Sequence, residues 1–514
     1  MDIRYPEVFT LLNGDLEPRC QEIEVASSFQ IPHFQIIGLP GPEVSEAKDR
    51  VRSAIESSGF EFPRRKIVMN LSPASVRKKG TGLDFAMAVA LLIESWRIEK
   101  KTGPFPAERI FAWGELGLDG RLKSVRSPAR AIQAARLGKA DLILIAKSDE
   151  DRFREVARDL FSDGQTPAIL ALAHLADAPR ALFGECPANP SPSLSPTVPR
   201  KATSPLLPIS ESMATLLQIA AAGAHHFLLL GPKGAGKSVA LEWFLALQPE
   251  LDNETQRTRQ FISEISGREI EAPYRRVSTQ AKPAALLGSF SGGCLRPGEF
   301  SLAHGGVLLA DEFPEWSRDS REALREPLER RRVTLTRVDG SLELPADFTF
   351  AGNGNLCPCG GIPDSPSDSA FSPCRCLPAE RGKYFAKLSG PILDRLDLVA
   401  IVLNPPRCTP AIRDEAALVR ETIEARKRLV TRYGLPPGKL PPEALEELLG
   451  KHPFLRESLD TIRYPSFRDR HKTLRIALTL AALEGREFPS IETLRRARAY
   501  RLESSKLGRF PGGA

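Results

Sequence analysis

The chain has 514 residues, 42% hydrophobic and 26% charged, the balance of a soluble globular protein of about three domains. No run of 18 apolar residues occurs, which excludes membrane-spanning helices, and the opening MDIRYPEVFT lacks the apolar stretch of a secretory leader. With 71 basic against 64 acidic residues the net charge is +7, compatible with nucleic acid but far from demonstrating it.

Along the first third, strand-like runs at 34–39 (FQIIGL), 66–71 (KIVMNL) and 141–146 (DLILIA) alternate with helical patterns at 43–59, 84–96 and 127–138. That alternation predicts an α/β domain over 1–186. Residues 187–208 hold seven prolines interleaved with Ser and Thr, a composition that supports neither helix nor central strand and reads as a linker. Beyond it, 226–247 reads as strand, glycine loop and helix, while 305–312 and 347–353 read as buried strands ending in acidic or amide residues. From 411 the pattern turns helical and Arg-rich. The expected architecture is a parallel-sheet core over 209–410, a helical module over 411–505 and a short tail, 506–514.

Residues 231–238, GPKGAGKS, fit the G-x-x-x-x-G-K-[ST] phosphate loop. Gly231, Gly234 and Gly236, with Pro232, Lys233 and Ala235 between them, let backbone N–H groups turn inward around phosphate oxygens. Lys237 is placed to neutralise the β- and γ-phosphates and the Ser238 hydroxyl to ligate Mg²⁺. A lone glycine-rich turn could look the same, but an apolar strand enters this one and a helix leaves it. The run VLLADE (307–312) adds two carboxylates at a strand end. Asp311 would hold Mg²⁺ through its water shell, and Glu312 would polarise the attacking water. Asn355 follows a third strand and is placed to bond that water or the γ-phosphate.

These motifs, with ELGLDGRL (115–122), NLCPCGG (355–361), LSGPILDRLDL (388–398) and SFRDRHKTLRIALTLAALEG (466–485), resemble the ComM/YifB family of magnesium-chelatase-like AAA+ ATPases. The resemblance covers nearly the whole chain. It implies ATP and Mg²⁺ as cofactors, a homo-hexameric ring, and DNA as partner, with branch migration during natural transformation as the activity. It further implies that Arg395 is an arginine finger serving a neighbouring subunit, and that Arg468 is the lid's sensor arginine, with Arg470 and Arg475 as fallbacks. The family's Gly-Gln element before the phosphate loop is absent, which leaves the adenine contacts unassigned. Ala310 also stands where a bulkier apolar residue is usual.

The N-terminal domain is also similar to the proteolytic domain of Lon-type proteases, but Gly82 and Ala129 occupy the positions of the nucleophile and its lysine. Without that pair no peptide hydrolysis is expected. Eight cysteines are too few for a disulfide scaffold and fit a cytoplasmic protein. Four of them, Cys357, Cys359, Cys374 and Cys376, form two C-x-C pairs, readable as a Zn²⁺ site or as free, redox-active thiols. Basic runs at 64–66, 77–79, 330–332 and 495–501 suit a phosphate backbone, though each alone reads equally as a solvated face. The expected function is an ATPase that moves DNA. A magnesium-chelatase motor subunit and a nucleotide-dependent assembly scaffold are the alternatives.

Overall fold

The computed structural model describes residues 5–12, 18–72, 82–101, 105, 107–125, 127–160, 167–184, 209–268, 270, 272–291, 294–337, 340–361, 373–388, 390–402 and 415–506. The proline-rich segment 187–208 and the basic run 77–79 lie outside them. The chain divides into two compact units. One comprises 1–198 with 260–269 and 291–295; the other holds the remaining residues.

The first unit is built on a seven-stranded mixed sheet. Its strands are β1 (Glu7–Leu12), β2 (Arg19–Ser28), β3 (His33–Ile37), β4 (Lys66–Leu71), β5 (Arg109–Trp113), β6 (Leu142–Ala146) and β7 (Ala168–Leu172), in the order β3-β4-β2-β1-β5-β6-β7. The β2 strand runs antiparallel to both neighbours, and the remaining pairs are parallel. Alternating side chains feed two cores, as a sheet covered on both faces requires. Val8, Ile110, Ala112, Leu142 and Leu144 face one core; Phe9, Leu11, Phe111, Trp113, Ile143 and Ile145 face the other. Helices α1 (Pro42–Ser57) and α2 (Asp84–Ile98) fill the first core and α3 (Pro128–Leu137) the second. The sequence patterns give three of these strands and all three helices. They miss β5, β7 and the pair β1 and β2, which supplies the antiparallel centre.

The second unit carries a five-stranded sheet of β8 (Phe227–Leu230), β9 (Tyr274–Val277), β10 (Val307–Ala310), β11 (Thr349–Gly354) and β12 (Leu398–Ile401). All its strands are parallel, in the order β9-β10-β11-β8-β12. Phe227 and Leu229 face one core while Leu228 and Leu230 face the other. All four are fully buried, which explains why the strand reads as a continuous apolar run instead of an alternating one. From 415 to 506 the described regular elements are helical, including α6 (Glu415–Tyr433), α7 (Phe467–Leu483) and α8 (Ile491–Lys506); α4 (Glu211–Gly223) and α5 (Lys237–Ala246) precede them in this unit. Residues of α4, α5, α6, α7 and α8 share the core of one sheet face. Among the described residues no helix is long and apolar enough to cross a membrane.

A buried charged cluster ties the turn before β12 to α7 and α8. Asp397 faces His225 Nδ1 at 3.3 Å and Lys472 Nζ at 3.7 Å, and His225 Nε2 lies 2.9 Å from the Thr479 hydroxyl. Lys472 Nζ donates to the Leu396 carbonyl at 2.7 Å, and Arg501 Nη1 donates to the carbonyls of Leu396 and Asp397. Burial alone would push the Asp397 carboxyl up, but Lys472 and His225 hold it far below the usual carboxylate range. Asp397→Ala would leave Lys472 buried without its counter-charge. We expect a loss of about 3–5 kcal/mol in chemical denaturation, with Asp397→Leu/Lys472→Met recovering much of it; an Asp397→Ala loss below about 1 kcal/mol would contradict this account.

Candidate functional site

The C-terminal ends of β8, β10 and β11 lie side by side, so three sequence-distant segments meet there. At the end of β8 the chain enters the glycine loop and passes into α5. Gly234 and Gly236 adopt φ of +80° and +82°, the left-handed region that favours glycine. A Cβ on Gly231 would stand 2.5 Å from the Val402 carbonyl oxygen, whereas one on Gly234 would meet nothing within 4 Å. The loop is therefore tight against the sheet at its entrance and open at its crest. Lys237 Nζ curls back to donate to the carbonyls of Gly231 and Pro232, both at 2.7 Å, and to Asn355 Oδ1 at 3.3 Å. Burial pulls this ammonium down to about 8, and the Glu312 carboxylate partly opposes the fall.

The sheet places β11 between β8 and β10, so Asn353 of β11 lies between the loop strand and the carboxylate pair. Asn353 Nδ2 donates to Asp311 Oδ1 at 2.9 Å, and its Oδ1 accepts the Glu312 N–H at 2.8 Å. One side chain thus fixes both acidic positions. Glu312 sits at φ +48°, an uncommon conformation for a non-glycine residue, in the turn that follows β10. Asp311 Oδ2 also accepts from Arg276 Nη1 at 3.1 Å, and Arg276 pairs with Glu242 at 2.8 Å.

Asn353 and Arg276 are the two contributors that sequence reasoning passes over. Asn353 lies two residues before Asn355 in GNGN, and β-strand alternation could have flagged it. Nothing in YRRV (274–277) singles out Arg276. Ser238 lies in the first turn of α5, next to Lys237.

Arg395 and Arg468 converge on one carboxylate. Arg395 Nη2 and, at 3.6 Å, Arg468 Nη2 both pair with Glu329, and Arg395 Nη1 donates to the Pro391 carbonyl at 2.7 Å. The two fallbacks are engaged elsewhere. Arg470 bridges Glu446 and Asp460 with its side chain 12% exposed, and Arg475 donates to the Leu440 carbonyl. Arg468, 53% exposed, is the most accessible of the three candidates.

The C-terminal basic run is largely committed to the fold. Arg498 and Arg501 pair with Asp469, and Arg496 with Glu484. In the 330–332 run, Arg331 donates to the Lys439 carbonyl and Arg332 pairs with Glu343 at 2.8 Å. In the first unit, a Cβ on Gly82 would lie 2.5 Å from the Trp113 ring, and Ala129 is buried. The four cysteine sulfurs all lie within 4.8 Å of one another.

Residues 209–408 match the family model described as magnesium chelatase, subunit ChlI, and residues 23–149 match a second, described as subunit ChlI of Mg-chelatase. YifB of Escherichia coli is 34% identical over 392 residues, covering 75% of this chain and 73% of its own length. YifB of Salmonella typhimurium is 32% identical over 498 residues, 93% of each chain. Competence protein ComM of Haemophilus influenzae is 30% identical over 508 residues, covering 93% of this chain and 94% of its own. The chain belongs to the ComM/YifB family. It is a magnesium-chelatase-like AAA+ ATPase, and membership implies ATP and Mg²⁺. The residues present fit that pair: an open glycine crest, a lysine parked on backbone carbonyls, the Ser238 hydroxyl in the first turn of α5 and the Asp311 carboxylate following β10.

Proposed function

We propose that this ComM/YifB chain hydrolyses ATP in a homo-hexameric cytoplasmic ring and uses the cycle to move DNA, as a branch-migration motor in recombination of incoming DNA. The observation that carries the ATPase part is the convergence of Lys237, Asp311, Glu312, Asn353 and Asn355 across β8, β10 and β11. Residues 231–238 would bind the triphosphate. Ser238 and Asp311 would hold Mg²⁺, which when bound neutralises phosphate charge. Glu312 would draw a proton from the attacking water, and Asn355, now bonded to Lys237, would orient the reacting group once that lysine turns to phosphate. Arg395 would serve the next subunit's site, and Arg468 on α7 would report nucleotide to the helical module at 415–506. We further propose Zn²⁺ as the ion of the four-cysteine cluster.

The DNA part is supported by the likeness to a competence protein and by the first unit's surface. Phe29 and Ile31 are each 86% exposed, and the Arg65 guanidinium lies 3.7 Å from the Phe29 ring centroid, beside Arg64 and Lys66. An exposed aromatic beside basic residues suits a single strand, whose bases can stack on the ring and whose phosphates the basic groups can pair. The Lon-like reading gives this unit a gripping role instead of a proteolytic one. A serine at 82 would collide with Trp113, so peptide hydrolysis has no room for its nucleophile.

The test is the ATPase rate with single-stranded, double-stranded and branched DNA. Stimulation by at least one of them, weakening as salt rises, is expected. No stimulation by any from low to moderate salt would overturn the DNA reading. It would favour the chelatase-motor alternative, which the descriptions of both family models support.

A further inference from the structure

The four cysteines lie beside the phosphate loop, and the segment joining the two sites is short. Gly231 N–H donates to the Gly354 carbonyl at 3.1 Å, Lys237 Nζ to Asn355 Oδ1 at 3.3 Å, and Lys233 N–H to the Gly360 carbonyl at 3.0 Å. Residues 354–360 therefore touch the loop at its first and third residues and at the Lys237 side chain. Cys357 and Cys359 lie within that segment. Gly360 N–H closes a turn on the Cys357 carbonyl at 3.0 Å, and Gly360 itself adopts φ +77°. A Cβ there would stand 2.8 Å from Lys233 side-chain carbons. The turn that presents two of the sulfurs is the same turn that braces the third residue of the phosphate loop.

The sulfur geometry asks for one ion. Cys357 Sγ lies 3.2 Å from Cys359 Sγ and 3.4 Å from Cys374 Sγ, and Cys359 Sγ lies 3.7 Å from Cys374 Sγ. A tetrahedral Zn²⁺ with bonds of about 2.3 Å has sulfur–sulfur edges of about 3.8 Å. The observed separations are close to that value and well above the ~2.05 Å of a disulfide. Neutral thiols are weak hydrogen-bond partners, so four of them gain little by converging. Glycine is also needed where the two pairs meet. A Cβ on Gly361 would stand 2.8 Å from the Pro373 carbonyl oxygen and 2.9 Å from Cys374 N. Four soft sulfur ligands within 4.8 Å of one another suit zinc among common divalent ions.

We propose that Cys357, Cys359, Cys374 and Cys376 bind one Zn²⁺, and that this ion braces the phosphate loop through the Cys357–Gly360 turn, so that nucleotide affinity depends on metal occupancy. The coupling to nucleotide rests on the phosphate-loop reading above; the ion and the bracing do not. Without metal the turn loses its anchor, the Lys233–Gly360 bond opens, and the loop must be ordered at the expense of ATP binding.

The experiment uses the full chain. Purified protein is expected to carry about one zinc per chain by elemental analysis. Stripping it with a mercurial and chelator should raise amide exchange across 231–237 about tenfold and weaken a fluorescent ATP analogue about tenfold, both reversed by added zinc. Cys359→Ser should reproduce the stripped state. Gly360→Ala should keep its zinc yet show the same exchange and affinity changes, because it breaks the brace and not the site. Iron in place of zinc, or no metal with all four thiols titratable, would overturn the site. Zinc removal that leaves exchange at 231–237 unchanged would overturn the bracing. If zinc-loaded wild type failed to bind the analogue, the ATPase reading would fall, while zinc content and exchange would still decide this proposal.

Discussion

Glu312→Gln is expected to keep ATP binding while lowering turnover by about 10²–10⁴. The substitution preserves volume and leaves the Glu312 backbone N–H on Asn353 Oδ1, so the turn after β10 and the position of Asp311 are retained. Only the carboxylate proposed to accept the proton is lost. Wild-type hydrolysis in this variant would remove Glu312 from the reaction.

A second readout comes from Lys237. Without nucleotide, burial pulls its ammonium down to about 8, and Glu312 pushes the other way. Phosphate would restore the high value. Below about 8 the lysine is charged in both states and affinity is flat; above it, binding must take up a proton and affinity falls by up to about tenfold per pH unit. Removing the Glu312 charge lets the free lysine fall further, so in Glu312→Gln the decline should begin at lower pH. An unchanged profile would mean that the two groups do not share a site.

What could be read from the sequence was whatever depends on local pattern. Phe227–Leu230 is apolar at every position because the strand is covered on both faces, and the glycines that follow are needed where φ is positive. The acidic pair after Val307–Ala310 is equally local. Strand order is not. Nothing along the chain says that β11 lies between β8 and β10, and this adjacency gives Asn353 its two contacts. Charge is similarly ambiguous. Arg498 and Arg501 read as a basic face, yet Asp469, distant in sequence, neutralises them. Asp397 and Lys472 look like two ordinary surface charges until the fold buries them together. A basic run keeps the same appearance in sequence whether it faces solvent or a carboxylate.

Arg395→Ala is expected to lower turnover by about 10³–10⁵ if its guanidinium completes a neighbouring site, since that is the range for transition-state arginines. In the protomer Arg395 rests on Glu329 and the Pro391 carbonyl, with its side chain 17% exposed and its Nε without a partner. The Glu329 carboxylate is 49% exposed and shared with Arg468, so solvent screens part of the pair's attraction. The ion pair thus parks the arginine without locking it. Action between subunits has a distinctive signature. Arg395→Ala chains keep an intact phosphate loop, and Lys237→Ala chains keep an intact arginine. In an equal random mixture, about one quarter of ring interfaces join the first loop to the second arginine. Each variant alone should be inactive, and the mixture should regain part of the wild-type rate. A mixture as inactive as its components, with ring assembly verified, would show that Arg395 serves its own subunit. In that case Glu329→Ala mixed with wild type should change turnover in proportion to its fraction, because the carboxylate would then regulate the arginine within a single chain.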